Sequence, residues 1–297
     1  MEETIIKKEI ISSTHINFLF GAGVNGNALP QLAAFKKTLR LIKELGGDIS
    51  QGLENGIDSL EKKEDCFRVN ETFISEFRLF HQEAISSWME NTSICNLISL
   101  LRKVHSIVNE AQNRNPDMKQ INIYTLNYDN VVEKALQQLG YFYNSISASE
   151  TDTKASLMNT IGYDYKVGKY IPSFMVSKIH GDMERPIIPG KAKYLDMLNE
   201  DYFEIAFNMK EQLCKPNSIL IVIGYSGRDN HINKIIQDCL NTGLTMYWYK
   251  YSDKDNPPFT TGLQIKVKNQ EDYKKPVDTT KLCYEDLEKA WEKKSEE

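Results

Sequence analysis

The segment INFLFGAGVNGNALPQL, residues 16–32, decides how the chain is read. Ile16 to Phe20 is mostly apolar and runs straight into Gly21-Ala22-Gly23. An apolar run of this length that stops at glycine is the pattern of a buried strand entering a tight turn. Leu32, Phe35, Leu39, Ile42 and Leu45 then recur at helical spacing, and Gly46-Gly47 stops that helix. Gly21, Gly23 and Gly26 therefore satisfy G-x-G-x-x-G between a strand and a helix, the context in which backbone amides meet phosphate groups. The dehydrogenase form of that motif needs a second strand within about thirty residues, ending in an acid that binds ribose. Here the next convincing strand begins near residue 121, and Glu44 lies inside the helical pattern. Hydride transfer is a poor fit, and a tight turn without a ligand is the plain alternative.

Outward from this segment, Ile121–Leu126, Phe174–Ile179, Ser218–Ile223 and Leu244–Tyr251 read as further strands, with a weaker one near 263–267. Helical patterns occupy about 131–139 (capped by Gly140), about 194–214 and about 230–241. Residues 48–116 are mostly helical in pattern, with Phe73, Phe77 and Phe80 and then Ile94, Leu97, Ile98, Leu101 and Val104 as core-facing positions. Strands alternating with helices predict an α/β fold: a Rossmann-like, largely parallel sheet with helices on both faces. The expected organisation is one domain over 1–297, with a helical insertion at about 48–116 and a C-terminal tail at about 252–297 that ends in a charged helix. The insertion and the charged end of the tail, residues 281–297, are candidate assembly surfaces, and plain solvated helices are the alternative.

Open parallel sheets bind ligands beyond the carboxyl ends of their strands. Four polar or glycine-rich segments fall there: GAGVNG, NYDN, HGD and GYSGRDNH. Asn127 can donate and accept at once, which suits a sugar hydroxyl and a water together. Asp129 is a candidate ligand residue or the cap of the next helix. His180, at a strand end before a glycine, can take a proton from a ribose hydroxyl or an attacking water. Gly224, Ser226 and Asp229 suit close approach to ribose or phosphate, with Asp229 alternatively an N-cap. His231 reads more naturally as a solvated surface residue than as part of the site.

The 297 residues carry a net charge of -5, with 41% hydrophobic and 26% charged residues. Without a basic excess, direct nucleic-acid binding is not expected. The opening MEETIIKKEI lacks the basic and apolar regions of a secretory signal. No apolar run approaches the ~20 residues that a membrane span requires. Cys66, Cys95, Cys214, Cys239 and Cys283 are scattered, with no C-x-x-C pair. Neither a zinc ribbon nor a disulfide framework is suggested, and reduced thiols in a cytoplasmic protein without a metal are expected.

Taken in order, GAGVN, TLNYD, IHGD and GYSGRD resemble the motif set of the sirtuin-type NAD-binding domain: a GAG turn, T-x-N-x-D, an HG pair and a late G-x-S strand end. The resemblance spans about residues 16–251. It departs from the deacylases in two ways. VNGNALPQLAAF follows GAG in place of a serine and a PDFR-like stretch, and the two C-x-x-C pairs of the structural zinc module are missing. These departures are similar to the divergent sirtuin-like domains of bacterial anti-phage systems, which cleave NAD. The resemblance implies NAD as substrate, with Asn127 orienting water and ribose and His180 acting as base. It implies that Gly21, Ala22 and Gly23 cradle the pyrophosphate, that Asn25 reaches phosphate or ribose, and that Ser226 and Asp229 hold the adenosine side. It also implies a homo-oligomer regulated by a partner such as a HerA-type ATPase. The alternatives are an NAD-dependent protein deacylase, or a nucleotide-binding subunit that is not itself catalytic.

Overall fold

Strand β1 (His15–Phe20) follows the short helix α1 (Lys8–Ser13) and lies at the centre of a seven-stranded parallel sheet in the computed structural model. The structure describes residues 4–30, 32–50, 52–112, 114–147, 163–164, 169–170, 173–183, 186, 200–250, 258–259, 265–269 and 278–292. β2 (Ile121–Thr125) pairs with one side of β1 and β7 (Ser218–Ile223) with the other. β6 (Phe174–Lys178) and β3 (Tyr143–Ser147) extend the sheet beyond β2; β8 (Thr245–Lys250) and β9 (Ile265–Asn269) extend it beyond β7. The residue pairs 163–164 (β4) and 169–170 (β5) form a separate antiparallel ladder. The chain thus leaves β1 towards one flank and later returns to the other, so the crevice between the ends of β1 and β7 is the topological switch point.

Side chains alternate across β1 with the period of a strand. Ile16, Phe18 and Phe20 enter one core with α5 (Thr92–Glu110) and α6 (Val131–Leu139). Leu19 enters the opposite core with α7 (Glu200–Leu213) and α8 (Asn230–Leu240). The sheet therefore carries helices on both faces, as the alternating pattern predicts. No helix among the described residues is long and apolar enough to cross a membrane.

The helical region before β2 divides in two. α2 (Lys36–Glu44), α3 (Leu53–Asp58) and α4 (Lys63–Ser86) close around a separate aromatic cluster of Phe35, Phe73 and Phe77. α5 instead supplies Leu97, Leu100, Leu101 and Val104 to the main core, so it is a structural layer of the sheet.

The described elements of the C-terminal segment also pack on the sheet and its helices. β9 pairs with β8, and α9 (Thr279–Glu292) buries Leu282, Cys283 and Leu287 in the core shared with α5. Asp286, an acid on this charged helix, is 0% exposed. Its carboxylate accepts from the Ile5 amide (3.1 Å), the Tyr249 hydroxyl (2.9 Å) and Lys268 Nζ (2.7 Å). Such burial of a carboxylate is sustained only by a full set of partners. One face of this charged helix is therefore a structural layer of the core rather than a wholly solvated surface.

Two further departures from the sequence reading are physical. β3 lies at the sheet edge, and its residues Tyr143, Asn144 and Ser145 are only half-buried, so YNSIS lacks the apolar run of a central strand. The chain enters a four-residue 3-10 turn, Ala22–Asn25, within GAG, and the first α-helix after β1, α2, begins only at Lys36. Gly26, with φ 53°, breaks the chain away from helical geometry at that point.

The turn after β1 and the turn after β7 cross in contact. A Cβ on Gly21 would lie 2.4 Å from the Gly224 carbonyl oxygen, and one on Gly23 2.7 Å from Gly224 Cα. A Cβ on Gly224, whose φ is 67°, would lie 2.3 Å from the Val24 nitrogen. Gly140 has nearly the same φ, 68°, with nothing within 4 Å of its absent Cβ. Gly140→Ala should therefore cost only the left-handed strain of about 1–2 kcal/mol. Gly224→Ala should cost at least about 2 kcal/mol more, because backbone must shift as well. Denaturant unfolding of the two variants measures the difference; equal losses would show that the crossing tolerates a side chain.

Candidate functional site

The crossing fixes the floor of the site. Gly21 N–H donates to the Ile223 carbonyl and Gly23 N–H to the Gly224 carbonyl, each at 3.0 Å. Val24 N–H returns to Gly21 O at 3.0 Å. The glycine amides that the motif assigns to a phosphate are thus engaged within the protein, while Ala22 and Gly23 are exposed at the turn surface. The helices beneath hold the turn in place: Thr280 Oγ1 of α9 donates to Val24 O at 3.2 Å.

The turn after β2 is tied to the turn after β1 twice. Asn127 Nδ2 donates to Gly21 O at 3.2 Å, and Asn25 Nδ2 donates to Asp129 Oδ2 at 2.8 Å. Asp129 Oδ1 accepts the Val131 N–H at 3.0 Å, so this carboxylate also caps α6. Asn25, Asn127 and Asp129 are all buried. The same turn is gripped from the helical region. Tyr128 meets Phe73 and Phe77 edge-on, and His81 Nε2 is 2.8 Å from Asn130 Oδ1. Burial holds the His81 imidazole below its usual pKa, against the opposing pull of Asp129 and of the hydrogen bond to Asn130.

Lys178, the last residue of β6, ties the next strand in. Its Nζ donates to the Asp129 carbonyl and lies 3.2 Å from Glu133 Oε1. The two side chains are 5% and 8% exposed, so this is a buried ion pair that clamps the NYDN turn to β6.

His180 lies two residues past Lys178, as Asn127 lies two past Thr125, and Lys178 and Thr125 are paired in the sheet. Asn127 and His180 therefore leave adjacent strands at the same level. His180 is 3% exposed, and its Nε2 stands 3.2 Å from His231 Nε2 and 3.7 Å from Asp229 Oδ1. β6 and β7 are separated by β2 and β1, roughly 14 Å at the usual strand spacing, so these two turns reach across the switch point to meet. The GYSGRDNH turn is held by Tyr225 Oη donating to Asn233 Oδ1 (2.8 Å) and Asn233 Nδ2 donating to Gly227 O (2.7 Å). Asp229 occupies the N-cap position of α8 without a side-chain cap bond; it faces His180 instead. Ser226 is exposed in the turn, and Gly224 lies in the crossing.

The structure gathers the sequence-selected residues into two linked groups. Gly21, Asn25, Asn127, Asp129 and Gly224 form one through the contacts above, and His180 with Asp229 the other. His231 is half-buried against His180, which corrects its reading as a surface residue. Its signal was present: it follows Asp229 by two positions at a helix start. Lys178 and His81 were missed, because a lysine ending a strand and a histidine in a long helix carry no motif. Cys214 and Cys239, far apart in sequence, have their sulfurs 2.9 Å apart, with both thiols free. A surface cavity of ≈ 420 Å³ between α2 and α4, lined by Lys37, Arg68, Glu71 and Glu76 among others, includes none of the strand-end residues.

The sequence profile of the family described as "SIR2-like domain" matches residues 121–273. The match begins at the first residue of β2 and carries Asn127, His180 and Ser226, while the Gly21–Gly23 turn lies upstream of it. No curated protein matches the chain. It is similar to a solved structure described as "Structural Basis for the Mechanism and Regulation of Sir2 Enzymes", at 10% identity over 95% of each chain and a TM-score of 0.42.

Two outcomes follow from this geometry. Lys178→Met should destabilise the protein by about 3–5 kcal/mol by stranding Glu133, and adding Glu133→Gln should recover part of that loss. Denaturant melts of the single and double variants read this; a double variant as unstable as the sum of its parts would contradict the pairing. For His81, the unfolded chain binds the proton more tightly than the folded one. Stability from its neutral form is full above about pH 6.5 and is lost as pH falls through the lower folded value. His81→Gln should flatten the fall in melting temperature between pH 7 and pH 5.5. An unchanged slope would show that His81 does not titrate in this way.

Proposed function

This chain belongs to the SIR2-like domain family, and on that basis we propose that it is an NAD hydrolase, which releases nicotinamide and ADP-ribose. The observation that carries the reading is the pairing of Asn127 and His180 at one level on adjacent strands, with Asn127 bonded to the Gly21 turn at the sheet's switch point. Ligands of open parallel sheets are held in that crevice.

The nicotinamide leaves as a neutral ring, because the bond that breaks carries a cationic leaving group. An oxocarbenium-like ribose develops, a water adds to it, and the water's proton must be taken up. Asn127, its amide nitrogen fixed on Gly21 O, presents its carboxamide to ribose or water. His180 Nε2 is the acceptor for the proton, and general-base assistance of this kind is typically worth ~10²–10⁴ in rate. Asp229, 3.7 Å from that nitrogen, stabilises the imidazolium that results. It therefore serves the reacting end of NAD rather than the adenosine side. Asn25 and Asp129 hold the floor together, the exposed outer side of the turn at Ala22 and Gly23 faces the pyrophosphate, and Ser226 is left for the adenosine side.

The same Asn127 and His180 would serve deacylation if an acyl-lysine replaced water, and no observation favours that exchange. An unrestrained NAD hydrolase kills its host. We therefore place the activity in an anti-phage system, in a cytoplasmic homo-oligomer controlled by a partner such as a HerA-type ATPase, without direct binding of nucleic acid.

Purified protein, alone and with the product of its neighbouring gene, should release nicotinamide from NAD. Asn127→Ala and His180→Ala should each lower the rate at least about a hundredfold. Unchanged release by both variants would overturn the assignment. Formation of O-acyl-ADP-ribose from an acyl-peptide would replace hydrolysis with deacylation.

A further inference from the structure

His180, Asp229 and His231 are a group of three metal-capable side chains, with ligand atoms all within 4.8 Å of one another. We propose that they form a binding site for a borderline divalent ion of the first transition row, with Zn²⁺ the best match. Two imidazoles and one carboxylate are a donor set that such ions take. The spacing agrees as well. Zinc–nitrogen bonds of 2.0–2.1 Å in a tetrahedron place two ligand nitrogens about 3.3 Å apart. His180 Nε2 and His231 Nε2 are 3.2 Å apart, and Asp229 Oδ1 is 3.7 Å from His180 Nε2.

Without an ion, one Nε2–H of the pair donates to the other ring's lone pair. With an ion, both Nε2 atoms coordinate and that ring carries its proton on Nδ1 instead, so no redox step or further reactant is required. Asp229 gives the ion its way in, because its side chain is 21% exposed while that of His180 is 4% exposed. Three protein ligands leave a fourth position for water or an incoming ligand. The site differs in kind from a cysteine zinc module, because no cysteine belongs to the group.

The consequence for turnover rests on the hydrolase reading. An ion on His180 Nε2 removes the lone pair that takes the proton, so Zn²⁺ is an inhibitor of NAD hydrolysis rather than its cofactor.

The test is titration of chelator-treated protein with ZnCl₂ by calorimetry, repeated with Co²⁺ under visible absorption. The expected result is one Zn²⁺ per chain, and a Co²⁺ complex with the intense d–d bands of a four-coordinate ion that Zn²⁺ displaces. His231→Ala and Asp229→Asn, verified as folded by circular dichroism, should each lose the site, while His105→Ala on α5 should keep it. No stoichiometric Zn²⁺ binding, or undiminished binding by either of the first two variants, would overturn the proposal. Binding is read without turnover, so a protein inert towards NAD leaves the metal result standing. Equally, a protein that binds no zinc leaves the hydrolase reading untouched. In active protein, one equivalent of Zn²⁺ should suppress nicotinamide release and chelator should restore it.

Discussion

Backbone-to-backbone contact between two strand-end turns is the constraint on which the rest of this molecule depends. Gly21 and Gly23 lie where any side chain would strike Gly224, and Gly224 lies where a side chain would strike Val24. The three glycines allow the ends of β1 and β7 to close on one another, with two amide–carbonyl bonds sealing the crossing. This gives the motif a different physical basis from the one its spelling suggests. Its missing Cβ atoms are required first by the protein's own chain, and any phosphate meets the outer surface of that crossing.

From this floor the candidate site is assembled by reach. Asn127 bonds down to Gly21, Asn25 bonds across to Asp129, and Lys178 clamps the β2 turn to β6 from below. His180 then finds Asp229 and His231 across two intervening strands. Nearly all of these groups are buried, and buried polar groups persist only where partners are supplied. The partners come from every layer: α9 holds the β1 turn through Thr280, and α4 holds the β2 turn through His81 and Phe73. The helical region is in this way coupled to the site, although it contributes none of the proposed reacting groups.

Much of this was legible in the amino-acid sequence because central parallel strands, buried on both faces, are written as continuous apolar runs. Ile219–Ile223 stands out for that reason, Ile121–Tyr124 is interrupted only by the buried Asn122, and the polar segments that follow both strands stand out by contrast. Gly140 announced the end of α6 in the same way, as a left-handed cap. What escaped notice has equally physical causes. β3 is a half-buried edge strand with a mixed pattern, and Asp286 is an acid whose burial depends on Lys268 and Tyr249, remote in sequence. The site's long-range pairs, His180 with His231 and Asn25 with Asp129, exist only once four turns are stacked at one edge of the sheet.

On the proposed function, these four turns form one NAD-binding surface. Hydrogen–deuterium exchange with an NAD analogue whose ribose is carbocyclic, and so cannot be cleaved, tests it most directly. Slowed exchange is expected together in residues 20–27, 126–130, 179–183 and 224–231. Slowed exchange confined to the α2–α4 face, or no change in any of the four turns at saturating analogue, would contradict it.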